Sequence, residues 1–137
     1  MGSSDNAEMF TYAFNRLSEH GLAYLAMLDG FGFGYMTQGP LLTVFDAKTA
    51  FKGTIVANNS YIRDVAEGVT RSGAADLVGF ARLFISNPDL VERFKNDWHI
   101  NPLPDHAFLW DASKGDEGYN TFQTYKVVNQ QNPASVA

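Results

Sequence analysis

The chain has 137 residues, 45% of them hydrophobic and 18% charged, which suits one folded domain with a modest core and is too short for two. Its net charge of −5, with no cluster of Lys and Arg, excludes an electrostatic nucleic-acid surface. With no cysteine there are no disulfides, thiolate nucleophiles or sulfur-ligated metals, and no run reaches the roughly 20 apolar residues of a membrane helix.

Met1–Asn6 carries neither the basic nor the apolar region of a signal peptide, and Asn6 stands where a myristoylation motif has Ser or Thr. The expectation is a cytoplasmic protein. From Asn6 to Glu19, Met9, Phe10, Ala13, Phe14 and Leu17 recur at helical spacing. Ser4 or Asp5 can cap the start, and His20-Gly21 marks the end. Leu22–Leu28 is a continuous apolar run whose flanking turn residues favour a buried strand. A loop rich in glycine and aromatics follows, Asp29–Pro40, and Phe31, Phe33 and Tyr35 in it are candidates to line a ligand. A short, weakly patterned helix is expected between Leu42 and Ala50.

Thr54–Ala57, apolar and β-branched, reads as a second strand. Ile62–Ser72 then places Ile62, Val65, Ala66 and Val69 on one helical face, with Gly73 as the stop. Ala75–Phe80 reads as a third strand. Asn87-Pro88-Asp89-Leu90 has the residues of a helix start, with Asn as cap and Pro at the first position, and Leu90, Val91 and Phe94 as the apolar face. One helical turn is expected within Pro102–Leu109. Gly115–Ala137 is mostly polar and is expected to be loosely ordered.

Short apolar strands alternating with amphipathic helices specify an α/β fold built from parallel βαβ units. Three such strands cannot close a barrel by themselves and leave two edges exposed. Ligands in these folds sit beyond the carboxyl ends of the strands, so the candidate loops are Asp29–Gly39, Asn58-Asn59-Ser60 and Ala81-Arg82. In the second, small and polar residues let successive backbone N–H groups converge on an anion. In the third, a guanidinium stands directly after a strand, where its geometry suits a phosphate. His99 and His106 lack the spacing of zinc ligands, so no metal site is expected.

Three blocks then identify a family. Phe51-Lys52-Gly53-Thr54-Ile55-Val56-Ala57-Asn58, Ala74-Ala75-Asp76-Leu77-Val78-Gly79-Phe80-Ala81-Arg82 and Phe84-Ile85-Ser86-Asn87-Pro88-Asp89-Leu90-Val91-Glu92-Arg93-Phe94 resemble the end of the Old Yellow Enzyme family. Gly21-Leu22-Ala23-Tyr24-Leu25 looks like its sixth strand. The resemblance covers about residues 1–125 and implies the C-terminal part of a (β/α)8 TIM barrel. Residues 1–111 would carry strands six to eight with their helices, and 112–137 a polar tail.

It further implies an FMN flavoprotein of the NAD(P)H-dependent oxidoreductase type, reducing activated alkenes of the enone class. Asn59 and Ser60 match the loop whose N–H groups hold the FMN phosphate. Phe80, Ala81 and Arg82 match a second phosphate element, and Phe108 an aromatic near the flavin ring edge. Asn59 and Ala81 stand where the family usually has Gly; Asn tolerates a left-handed backbone better than Ala does. The family's substrate-orienting His pair and proton-donating Tyr precede the matched stretch, so no catalytic residue is assigned. The chain alone is expected to be inactive. The alternative function is a catalytically silent half-barrel that self-associates or binds a partner through its open face.

Overall fold

The computed structural model describes residues 4–28 and 42–131, so the loop expected at Asp29–Pro40, with Phe31, Phe33 and Tyr35, lies outside the described residues. Contacts divide the chain into two compact units, Met1–Phe80 and Ala81–Ala137.

In the first unit, helix α1 (Asn6–Leu17) ends in a 3-10 turn at Ser18–His20. Gly21 then takes a left-handed φ of 61°, which reverses the chain at little steric cost. Strand β1 (Tyr24–Leu28), helix α2 (Val44–Ala50), strand β2 (Thr54–Asn58), helix α3 (Arg63–Arg71) and strand β3 (Leu77–Val78) follow. The three strands form one parallel sheet in the order β1-β2-β3, as the alternation of elements predicts. Helix α2 starts on a signal that was open to reading in the sequence, Thr43-x-x-Asp46. Thr43 Oγ1 accepts from Asp46 N at 3.3 Å, while Asp46 Oδ2 accepts from Thr43 N at 2.8 Å. The Thr43 hydroxyl, and then its N–H, hold the Asp46 carboxyl below the usual carboxylate range.

Register fixes which side chains share a face. Leu25 pairs with Ile55, and Met27 with Ala57, which pairs with Val78. These side chains join Phe14, Val44, Ala47, Ala50 and Phe51 in the core. The opposite face carries Tyr24, Leu28 and Leu77, exposed at 58%, 66% and 55%. The sheet is thus apolar on both faces, as a strand buried on both sides in a complete α/β fold must be.

Strand β3 is shorter than the expected Ala75–Phe80. The Asp76 carboxylate accepts the Ile55 N–H at 2.7 Å and Lys48 Nζ at 2.6 Å, while Asp76 N donates to Ile55 O at 3.1 Å. A side chain therefore closes the ladder at its start, and regular pairing is left to Leu77 and Val78.

In the second unit, α4 (Arg82–Ser86) and α5 (Leu90–Asn96) precede the single turn α6 (His106–Leu109), which falls inside the expected window. Two expectations fail here. Asn87 does not cap a helix: fully buried, it donates to Leu83 O and Asn101 O at 3.0 Å each and accepts from Asn101 N at 2.7 Å. Asp89 takes the N-cap position instead. Val91 is 64% exposed, and Arg93, at 2%, occupies the buried face in its place.

Residues 116–131 are also more ordered than their polarity implies. Helix α7 (Tyr125–Gln131) is held because Asp89 Oδ2 accepts from Tyr125 N at 2.7 Å. The Tyr125 ring stacks on Trp98 with centroids 4.5 Å apart and lies 5.6 Å from the Arg93 guanidinium. Among the described residues no helix is long and apolar enough to cross a membrane.

Candidate functional site

Strand β2 ends at Asn58, and the next two residues both have positive φ, 113° at Asn59 and 58° at Ser60. Such conformations are uncommon for residues with a Cβ and cost on the order of 1–3 kcal/mol each. Two in succession break the extended backbone sharply at the end of β2. The chain then reaches α3, whose N-terminal N–H groups follow at Arg63. Ser60 is exposed and Asn59 half-buried.

The carboxyl end of β3 lies beside this turn. Gly79 N donates to Ala57 O at 2.8 Å, and a Cβ on Gly79 would sit 3.0 Å from Asn58 Nδ2. Gly79 lets the segment leading to Phe80 run close to Asn58. The sequence offered that signal, because a glycine within a strand pattern marks close backbone approach. Asn59, Ser60 and the half-buried Phe80 therefore follow the carboxyl ends of two hydrogen-bonded strands in the first unit.

Ala81, Arg82 and Phe108 belong to the second unit. Ala81 has φ −107°, so nothing in its backbone calls for glycine. The positions that do adopt glycine-like φ are Asn59 and Ser60. Arg82 opens α4 two residues after Phe80 and is half-buried. Asp76, the acid nearest to it in sequence, is engaged by Lys48 and by the Ile55 N–H. The Lys48 ammonium, and then that N–H, hold its carboxyl below the usual range. Phe108 lies in α6, half-buried, against a turn formed by residues 111–121.

A scan of family models finds no match. A 12-oxophytodienoate reductase-like protein of Solanum lycopersicum is 32% identical over 102 residues, which cover 72% of this chain and 26% of the relative. The 12-oxophytodienoate reductase 1 of Oryza sativa subsp. japonica is 29% identical over 145 positions, covering 98% of this chain and 35% of the relative. Among solved structures, the old yellow enzyme from Trypanosoma cruzi superposes with a TM-score of 0.77 at 30% identity, covering 89% of this chain and 31% of that one. The chain thus spans about a third or less of the length of these relatives, and its three parallel strands with their helices form part of a barrel.

Proposed function

We propose, from the premise that the chain belongs to the Old Yellow Enzyme family, that it holds the phosphate end of FMN in an NAD(P)H-dependent oxidoreductase acting on activated alkenes. On this reading β1, β2 and β3 are strands six to eight of the barrel. The observation that carries it is the pair of positive-φ residues, Asn59 and Ser60, directly after β2. An exposed turn that accepts this backbone cost is explained by a ligand that uses its N–H groups.

On this reading each of these residues has a role toward the cofactor. The N–H groups at Asn59 and Ser60 would donate to phosphate oxygens, Arg82 would supply a charge-assisted contact, and Phe108 would flank the ring. FMN, when bound, supplies hydride transfer between a nicotinamide and an electron-poor alkene. This chain's own contribution is to anchor and orient it. Proton donation and substrate orientation fall to family positions outside the stretch matched here, so turnover by this chain alone is not expected.

Titration with FMN and riboflavin tests the reading. A hydrogen bond to a charged group contributes about 1.5–3 kcal/mol, so Arg82→Ala should weaken FMN binding about tenfold to a hundredfold and leave riboflavin, which has no phosphate, unaffected. Equal affinity of the unsubstituted protein for FMN and riboflavin would remove the phosphate site from the account.

The exposed Tyr24, Leu28 and Leu77 support a second reading, in which that sheet face packs on complementary strands, those of a second copy included. Light scattering after size exclusion checks it; a monodisperse 15.1 kDa species with cooperative unfolding would contradict it.

A further inference from the structure

Phe108 sits in a local clamp. Gly118 has φ 70° and is buried in a segment where residues 111–117 are exposed. A Cβ at Gly118 would overlap Cε1 of Phe108 and approach its Cζ to 2.7 Å, so the ring rests on the bare α-carbon. Lys114 Nζ lies 5.6 Å from the centre of the same ring, within the range of a cation–π contact.

The turn that brings these groups together is fastened by side chains at each corner. Asp105 accepts from Ala107 N at 2.8 Å. Asp111 accepts from Ser113 N at 3.0 Å and from Ser113 Oγ at 2.6 Å. Gly118 N donates to Thr121 Oγ1 at 2.9 Å. A surface loop of this length would otherwise leave a half-buried phenyl ring free to change rotamer. Here two distinct demands, positive φ and absence of a Cβ, fall on one residue.

We infer that Gly118 is a positioning residue: by letting Phe108 lie on its α-carbon with Lys114 over the ring, it fixes the plane that Phe108 presents to the flavin ring edge. The inference rests on the FMN reading above and extends it to three residues that act on the ring end of the cofactor, not on its phosphate.

The test compares dissociation constants for FMN with inhibition constants for inorganic phosphate competing against FMN. The variants are Gly118→Ala, Phe108→Leu and the two combined, with Lys114→Met as a variant that leaves the backbone undisturbed. An aligned aromatic contact is a modest one, so Gly118→Ala and Phe108→Leu should each weaken FMN binding about three- to tenfold. Neither should change the inhibition constant of phosphate. In the Phe108→Leu background, Gly118→Ala should cost little further, because the ring it displaces is gone. Lys114→Met should give a smaller loss in the same direction.

An unchanged FMN affinity in both Gly118→Ala and Lys114→Met would overturn the inference. So would an equal loss of phosphate affinity, or a full Gly118→Ala loss in the Phe108→Leu background. If Arg82→Ala still separates FMN from riboflavin, the parent reading survives such a result. If the unsubstituted protein binds no FMN, both fall together.

Discussion

The two units are held by different physics. In the first, the fully buried positions are apolar: Ala47, Phe51, Ile55 and Ala57 lie at 0–1% exposure, and the sheet is packed by burying hydrocarbon. In the second, Leu90 shares the interior with Ser86, Asn87 and Arg93, all at 2% exposure or less. There Arg93 donates to Asp89 Oδ1 at 2.6 Å, His99 O at 2.7 Å and Gln123 O at 3.4 Å. A hydrocarbon core tolerates small losses of volume, whereas a buried polar network fails as a unit when one partner is removed.

The largest effect that would sharpen this contrast is Arg93→Met. Removing the guanidinium leaves Asp89 charged and poorly solvated, a change that typically costs about 3–5 kcal/mol, and it releases the anchor of α7. Both tryptophans, Trp98 and Trp110, lie in the second unit, so tryptophan fluorescence during urea unfolding reports on it selectively. An unshifted fluorescence midpoint would break the comparison.

Acid should separate the units next. Burial opposes the charge on Asp89, but hydrogen bonds from Arg93 and from the Tyr125 N–H outweigh it and hold its pKa below the ordinary carboxylate value. A depressed pKa contributes stability that is present above the unfolded value, about 3.9, and lost as pH falls through the folded one. Below about pH 4 the fluorescence transition should weaken. Because Asp89 and Arg93 have side-chain exposures of 14% and 2%, added salt should shift that transition little. The Lys48–Asp76 bridge of the first unit, exposed at 31% and 40%, should respond to salt more, though its total contribution is small. A fluorescence transition that moves with salt as far as the first unit's would contradict this assignment.

The smallest effect belongs to the hydrocarbon core. Ile55→Val removes one methylene from a fully buried site and should cost about 1 kcal/mol. Far-ultraviolet circular dichroism should register it while the tryptophan midpoint stays in place.

The same contrast explains how much of the molecule was legible in its sequence. Apolar periodicity located α1, β1, β2 and α3, because those elements are buried by the residue types that the pattern counts. It misread the second unit wherever a polar residue is the buried one. Asn87 looked like a cap and is a bridge to Asn101, and Arg93, which is not among the residues expected on the apolar face, is the centre of the packing. The polar stretch after Gly115 gave no sign that Tyr125 would dock on Asp89 and Trp98.

At the candidate site, the family resemblance pointed to Asn59, Ser60, Phe80, Ala81, Arg82 and Phe108. The backbone adds that the strained pair is Asn59–Ser60 and that Ala81 is conformationally ordinary. Gly79 carries only the general signal of a glycine within a strand pattern and Gly118 none, since what each accommodates, Asn58 and Phe108, is set by tertiary contact.

The central claim is that this chain carries a flavin phosphate site, and the most direct measurement is the visible absorption spectrum of the protein purified under native conditions, mixed with FMN and washed by ultrafiltration. The account predicts retained flavin bands that are displaced by excess inorganic phosphate and reduced in Arg82→Ala. Flavin that washes out completely from the unsubstituted protein, or is retained equally as riboflavin, would contradict it.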